Sequence, residues 1–273
     1  MKHPKAPYIE LGFYYGGLSD NQAMALFISQ CLTLGARLHG KAYIHRGPNI
    51  ANSPFIGPSN IAMKAIRIAN IEDVLLVLAD ADSRLVRVEV VGLVGVAHEV
   101  EIVTYGPTLV SAKAHRHPIV LCISGDWACP VGKAMPLSTK AQKLGRLVCD
   151  RFLSLVEITK PDYGCITIEY SMESPSDLAA DARSLAFQNC YVSDKVLGSS
   201  SGIKAVCRGA FVQEVAGGVY LSTDPIFNLR GVEISTEDAL KISSHVAQII
   251  RKRCLEEKSK GRKGNGDRHV YKR

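Results

Sequence analysis

The hydrophobic pattern opens with an aromatic and β-branched run, Tyr8 to Tyr15, which reads as a strand stopped by Gly16 and Gly17. Ser19-Asp20-Asn21-Gln22 follows with the spacing of a capping box, Ser19 as cap and Gln22 reaching back. Met24, Phe27, Ile28, Cys31, Leu34 and Leu38 then recur at three and four residues, the stripe of a helix lying on a sheet and stopping at Gly40. Pro, Gly and Asn content makes residues 45–60 a loop, and Ile61 to Ile68 fits a short helix and a strand equally well. Strands are predicted at Val74–Leu78, Leu85–Val91 and Glu99–Tyr105, with a further apolar run from Pro118 to Ile123. Strands this closely spaced predict an antiparallel meander rather than alternating β-α units. Residues 124–137 read as loop, and Ser138 to Leu155 as a helix with Ala141, Leu144, Leu147, Val148 and Phe152 on one side.

At Tyr163 the pattern restarts. Ile166 to Tyr170 is a predicted strand, and Glu173-Ser174-Pro175-Ser176-Asp177 leads into a helical run from Leu178. Ile9, Ser19 and Asp20 match Ile166, Ser176 and Asp177 at one common offset. An extended stretch at Gly202–Phe211, a strand at Gly218–Ser222 and the loop Thr223–Arg230 come next. A final helix from near Ser235 buries Ala239, Ile242, Val246, Ile249 and Ile250. The expectation is an α+β fold, a mainly antiparallel sheet covered by helices, with a hint of two related strand-turn-helix halves. Residues 1–157 and 158–253 would form those halves, and residues 254–273 a basic tail.

Charge changes this picture little. Of the 273 residues, 47% are hydrophobic and 22% charged, an ordinary globular composition. The net charge of +7 resides entirely after residue 250, where ten Lys/Arg face Glu256, Glu257 and Asp267, so the body is neutral. The tail sequence is interrupted by glycine and lacks apolar periodicity, which predicts disorder and a solvated, solubilising role. Its sharper reading is an electrostatic arm for nucleic acid through Arg251, Lys252, Arg253, Lys258, Lys260, Arg262 and Lys263. No apolar h-region opens the chain and no run of about 18 apolar residues could span a bilayer, so a cytoplasmic protein without membrane contact is expected. The eight cysteines are spread through apolar runs, as buried free thiols in a reducing compartment would be.

Candidate chemistry fails on context. Gly198-Ser199-Ser200-Ser201-Gly202 has the letters of a nucleophile elbow but lies in a Ser/Gly-rich linker rather than between a buried strand and a helix. Gly125 to Ala134 resembles a phosphate loop but has six residues between its glycines and Ala134 where a hydroxyl is needed. His115 and His117 lack a third ligand at any metal spacing, and Asp80 and Asp82 fit turn chemistry. No metal, cofactor or catalytic residue is expected, and the chain is not expected to be an enzyme. For an enzyme assembled from distant residues, Asp126, Cys129, Glu169 and Asp224 are the first suspects. Trp127, the only tryptophan, sits in a loop, and Tyr14 and Tyr15 end a strand with one ring facing each way, so partner contacts are open to them.

Two stretches carry a resemblance. Gly12–Gly35 (GFYYGGLSDNQAMALFISQCLTLG) and Gly217–Ile250, with Lys160-Pro161-Asp162-Tyr163 introducing a strand between them, resemble the immunity protein 52 family of bacterial polymorphic and type VI toxin systems. About one quarter of the chain is covered. The aromatic-Gly-Pro turn of that family is replaced here by Tyr15-Gly16-Gly17, and residues 45–137 have no counterpart. The resemblance implies a bacterial, non-catalytic α+β protein that neutralises a cognate toxin domain by stoichiometric binding. Tyr14, Tyr15, Asp126, Trp127, Glu173, Asp224 and Phe227 are the candidate contacts, from their places at strand ends and in loops.

Overall fold

In the computed structural model, residues 2–4, 7–52, 63–94, 99–106, 117–125, 127–128, 139–168, 189–197, 211–215, 217–224, 226–227, 235, 237–249 and 252 are described. They form one sheet of ten strands: β1 (Tyr8–Tyr14), β2 (Arg37–Arg46), β3 (Lys64–Arg67), β4 (Ser83–Val91), β5 (Glu101–Tyr105), β6 (Ile119–Ser124), β7 (Tyr163–Ile168), β8 (Asn189–Ser193), β9 (Phe211–Val215) and β10 (Gly218–Ser222). Their order is β3-β2-β4-β5-β6-β1-β7-β8-β10-β9. Every ladder is antiparallel. The fold is therefore α+β, and β4, β5 and β6 form an antiparallel meander in which β4 and β5 cover the second and third of the strands expected there. The sheet runs unbroken across position 157/158, because β1 pairs with β7 from Ile9↔Ile168 to Tyr14↔Tyr163.

Side-chain alternation splits the apolar residues between the two faces of the sheet. One face carries Ile9, Leu11, Phe13, Leu121, Ile123, Val103 and Ile166. Against it pack α1 (Asp20–Thr33), α2 (Ile71–Ala79) and α3 (Thr139–Thr159). Phe13 stacks between Phe27 of α1 and Phe152 of α3, at centroid distances of 5.0 and 5.1 Å. The other face of β7, β8 and β10 presents Tyr163, Cys165, Cys190, Val192, Val219 and Leu221 to the last helix, residues 237–249, through Ile242, Val246 and Ala247. No helix among the described residues is long and apolar enough to cross a membrane.

Several boundaries differ from expectation, each for a local reason. The capping box at Ser19 and Gln22 is present, but α1 ends at Thr33. Gly35, at φ +95°, supplies the left-handed stop assigned to Gly40, and Leu38 belongs to β2. Gly40, at φ +87°, lies instead in the irregular stretch of β2 where its pairing with β4 shifts. Within the stretch Ile61–Ile68, Lys64–Arg67 form strand β3, and residues 61 and 62 lie outside the described residues.

The segment read as strand Val74–Leu78 is helix α2. Asn70 accepts from the Asp73 amide at 3.0 Å while Asp73 accepts back from the Asn70 amide at 3.3 Å, a capping box that an apolar run conceals. Asp80 and Asp82 consequently join a helix to a strand, and they do act through turn chemistry. Asp80 accepts from the Asp82 amide and the Ser83 hydroxyl, which holds its carboxyl below its ordinary pKa. Strands β8 and β9 were not anticipated.

Candidate functional site

Of the proposed contact residues, Tyr14 and Tyr15 lie at one end of β1, and Trp127, Asp224 and Phe227 lie toward the other. Tyr8 pairs with Ser124 at one end and Tyr14 with Tyr163 at the other. Trp127 follows Ser124, donates its indole N–H to the Ser124 carbonyl at 2.7 Å and packs partly buried on the core. Asp224 and Phe227 follow β10 at this same end, since Ser222 pairs with Asn189. Phe227 is 1% exposed, a core ring whose carbonyl accepts from the Tyr220 hydroxyl. Asp224 accepts the Ile226 amide at 2.8 Å, a local Asx turn, and burial raises its pKa despite that bond. Asp126, Cys129, Glu169, Glu173 and the Ser200 motif lie outside the described residues, as do the tail positions Arg251, Arg253, Lys258, Lys260, Arg262 and Lys263. Lys252 is exposed.

At the far end, Tyr15 turns into the core and burial pushes its phenol well above the ordinary pKa, while Tyr14 stays partly exposed against the second cluster. The Tyr15-Gly16-Gly17 turn and the Lys160-Pro161-Asp162 turn meet here. Lys160, at φ +48°, closes α3 by donating its amide to Val156, and Pro161 prevents the helix from continuing. Asp162 then accepts from the Gly16 amide at 2.7 Å and from the Lys195 ammonium at 2.9 and 3.1 Å. Its own amide donates to the Tyr14 carbonyl, and its carbonyl accepts from the Ser193 amide. A Cβ on Gly16 would strike the Asp162 carboxylate, so the Tyr-Gly-Gly turn and the Pro-Asp turn fit as a pair. This is an architectural joint. Its polar groups are consumed in holding β1, β7 and β8 together.

His117, from the histidine pair, is also structural. Its amide donates to the Asp20 carboxylate at 2.8 Å and its ring lies edge-on to Tyr105. Among the described residues, no group of three His, Cys, Asp or Glu side chains could hold a metal.

The feature that sequence reading missed is the outward face of α2. Val74 and Leu78 are buried and point to the core. Glu72, Leu75, Leu76 and Ala79, at i, i+3, i+4 and i+7, form the opposite stripe and are exposed. Leu75 is 44% and Leu76 70% exposed. A solvated helix face carries polar residues at such positions. Reading 74–78 as a strand hid this stripe, because two leucines in succession then fall on opposite faces; the Asn70-to-Asp73 cap was the available signal.

The chain matches no known protein family and no curated protein. Among solved structures it is similar to a Pseudomonas aeruginosa T6SS protein, PA0821, at 12% identity and a TM-score of 0.39, over 92% of this chain and 85% of that one.

Proposed function

We propose that this chain is a non-catalytic protein-binding protein that engages its partner through the outward face of α2. The observation that carries the reading is the stripe of Leu75, Leu76 and Ala79 on the solvent side of a helix whose other side is already buried. Leu75 and Leu76 leave apolar surface in water, and covering it with a partner would contribute about 1–2 kcal/mol from each. Glu72, Asp73 and Asp80 supply the polar rim that accompanies such contacts. The sequence resemblance to the immunity protein 52 family names the partner class, a toxin domain held by stoichiometric binding. The Tyr14, Trp127 and Phe227 rings have packing roles, so aromatic anchors are not needed for this interface.

The test is affinity capture from nuclease-treated lysate at high salt, comparing the wild-type chain with the Leu75→Glu/Leu76→Glu variant. Both side chains are exposed, so the variant should melt within about 1 °C of wild type. The expected result is one protein recovered in near-equal amount by wild type and lost with the variant. Equal recovery by both chains would remove α2 from the interface. Recovery of nucleic acid alone, at low salt and only with residues 254–273 present, would replace this reading with the electrostatic one.

A further inference from the structure

Side chains alternate across β2, β3 and β4, and the two faces differ in kind. Leu38, Ala42 and Ile44 of β2, Ile66 of β3, and Val88 and Val90 of β4 belong to the core that the helices cover. The opposite face carries Arg37, Lys41 and Tyr43 of β2, Arg67 of β3 and Arg87 of β4. Lys41 pairs with Arg67, and Tyr43 with Arg87. Arg37, Lys41 and Arg67 are exposed. Arg87 is partly buried and lays its guanidinium over the Tyr43 ring, 3.9 Å from the centroid. None of the four cations is ion-paired among the described residues, and Nε of Arg87 is buried without a hydrogen-bond partner. Glu89 is the one carboxylate on these three strands, and it is enclosed, with His39 at 3.0 Å and His3 at 3.8 Å. Positive charge is thus concentrated on one face of a body that is neutral as a whole.

We infer that this outward face of β2, β3 and β4 binds single-stranded nucleic acid. Arg37, Lys41 and Arg67 meet the phosphates, and a base adds to the stack that Tyr43 and Arg87 have already formed. A guanidinium held flat on an aromatic ring keeps its other side for a second planar group, which an ammonium cannot offer. Same-face side chains of a strand repeat about every 7 Å, so the Lys41–Arg67 pair and the Tyr43–Arg87 stack are neighbouring stations along β2. One nucleotide reaches from a phosphate at the first to a base at the second. Charge complementarity alone would also admit an acidic protein segment. A protein interface, however, buries an apolar centre, and apart from Ala65 and Met63 the exposed side chains in and beside these strands are polar. Nucleic-acid interfaces are polar and positively charged throughout, as this face is. The face lies across the sheet from α2, so the inference does not rest on the protein-binding reading. It is equally separate from the basic tail.

The experiment uses the full chain and fluorescein-labelled twelve-nucleotide strands of uridylate and of thymidylate, followed by fluorescence anisotropy from about 50 to about 200 mM salt. Both strands should bind at least tenfold tighter than a glutamate peptide of equal charge. Lys41→Gln/Arg67→Gln, at two exposed positions, should weaken binding by tenfold or more. It should also flatten the slope of log affinity against log salt by about 1.4, since each lost phosphate contact on a single strand removes about 0.7. Arg87→Lys keeps the charge but loses the plane, so binding should weaken at least fivefold with the slope unchanged. Circular dichroism checks that each variant is folded under the assay conditions. A strand carrying 4-thiouridine, irradiated on the wild-type chain, should leave a nucleotide on the tryptic peptide Ala42–Arg46, which holds Tyr43. Crosslinks confined to residues 251–273, or a salt slope unchanged in Lys41→Gln/Arg67→Gln, would overturn the sheet face and leave the tail as the binding arm. Equal binding of the glutamate peptide would overturn nucleic acid as the occupant in favour of an acidic protein segment. Equal binding of a duplex of the same length would overturn the stacking contact, because paired bases cannot reach the Arg87 plane.

Discussion

Truncating Asp162 separates two kinds of interaction that meet in one carboxylate. In Asp162→Ala, the partly buried Gly16 amide loses its acceptor, at a cost of about 1–3 kcal/mol. The Lys195 ammonium loses its partner as well, but that side chain is 66% exposed, so this contact is worth about 0.2–1 kcal/mol. The expected total is about 2–3 kcal/mol, a fall of roughly 5–10 °C in melting temperature for a chain of this size. Lys195→Ala should cost no more than about 1 kcal/mol. Asp162→Asn should fall between the two, keeping an oxygen for Gly16 while turning an amide toward Lys195. Urea denaturation of the three single variants and the Asp162→Ala/Lys195→Ala double variant measures each cost and the coupling. Two results would refute the reasoning. One is Asp162→Ala within about 0.5 kcal/mol of wild type, which would mean the joint holds without its carboxylate. The other is Lys195→Ala as damaging as Asp162→Ala, which would place the energy in the ion pair instead of the turn.

Gly145→Ala should destabilise by about 1–2 kcal/mol in the same assay. Helix propensity favours alanine by nearly 1 kcal/mol, but its Cβ would overlap the Ile226 carbonyl where α3 meets the loop after β10. Asp224→Asn should be stabilising at pH 7 and lose that advantage as pH falls. Burial raises the Asp224 pKa in the folded state, so the folded chain holds the proton more tightly, and its stability contribution falls as pH rises through that pKa. Asn keeps the bond to the Ile226 amide without the ionisation, and melting curves at pH 3.5 and 7 check the sign. Iodoacetamide at pH 8 should leave Cys149 and Cys165 unlabelled in the native chain, because burial pushes their thiols up to about 11 and about 12. Mass spectrometry after brief exposure reads this; fast labelling of Cys149 would show that α3 lifts from the sheet, and of Cys165 that the last helix parts from β7.

Local signals were legible in the sequence wherever the chemistry was local. Ser19 and Gln22 cap α1 as their spacing indicates. The alternation of Val86, Val88 and Val90 against Arg87 and Glu89 marks β4, and Ala141, Leu144, Val148 and Phe152, repeating at three and four residues, mark α3. A dense apolar run erases such contrast. Ile71 to Ala79 has nearly no polar position from which to read a period, so α2 was taken for a strand and its exposed leucines went unnoticed. Strand β8 carries only three apolar residues, Cys190, Tyr191 and Val192, a run too short to show a period.

The capped helix α1, the alternating strand β4, the antiparallel α+β class and the neutrality of the body before the basic tail follow from the sequence alone, because capping, alternation and charge act over a few residues. Tertiary structure decided which residues could serve function. Trp127 and Phe227 look available in a linear reading, but one donates its indole to Ser124 and the other is enclosed by the core. Leu75 and Leu76 look buried, yet they face outward because α2 can turn only one side to the sheet. Arg67 and Arg87 became neighbours of Lys41 and Tyr43 only through the pairing of β3 and β4 with β2. Long-range pairing sets such relationships, and its energy depends on the register of strands far apart in the chain rather than on any local pattern.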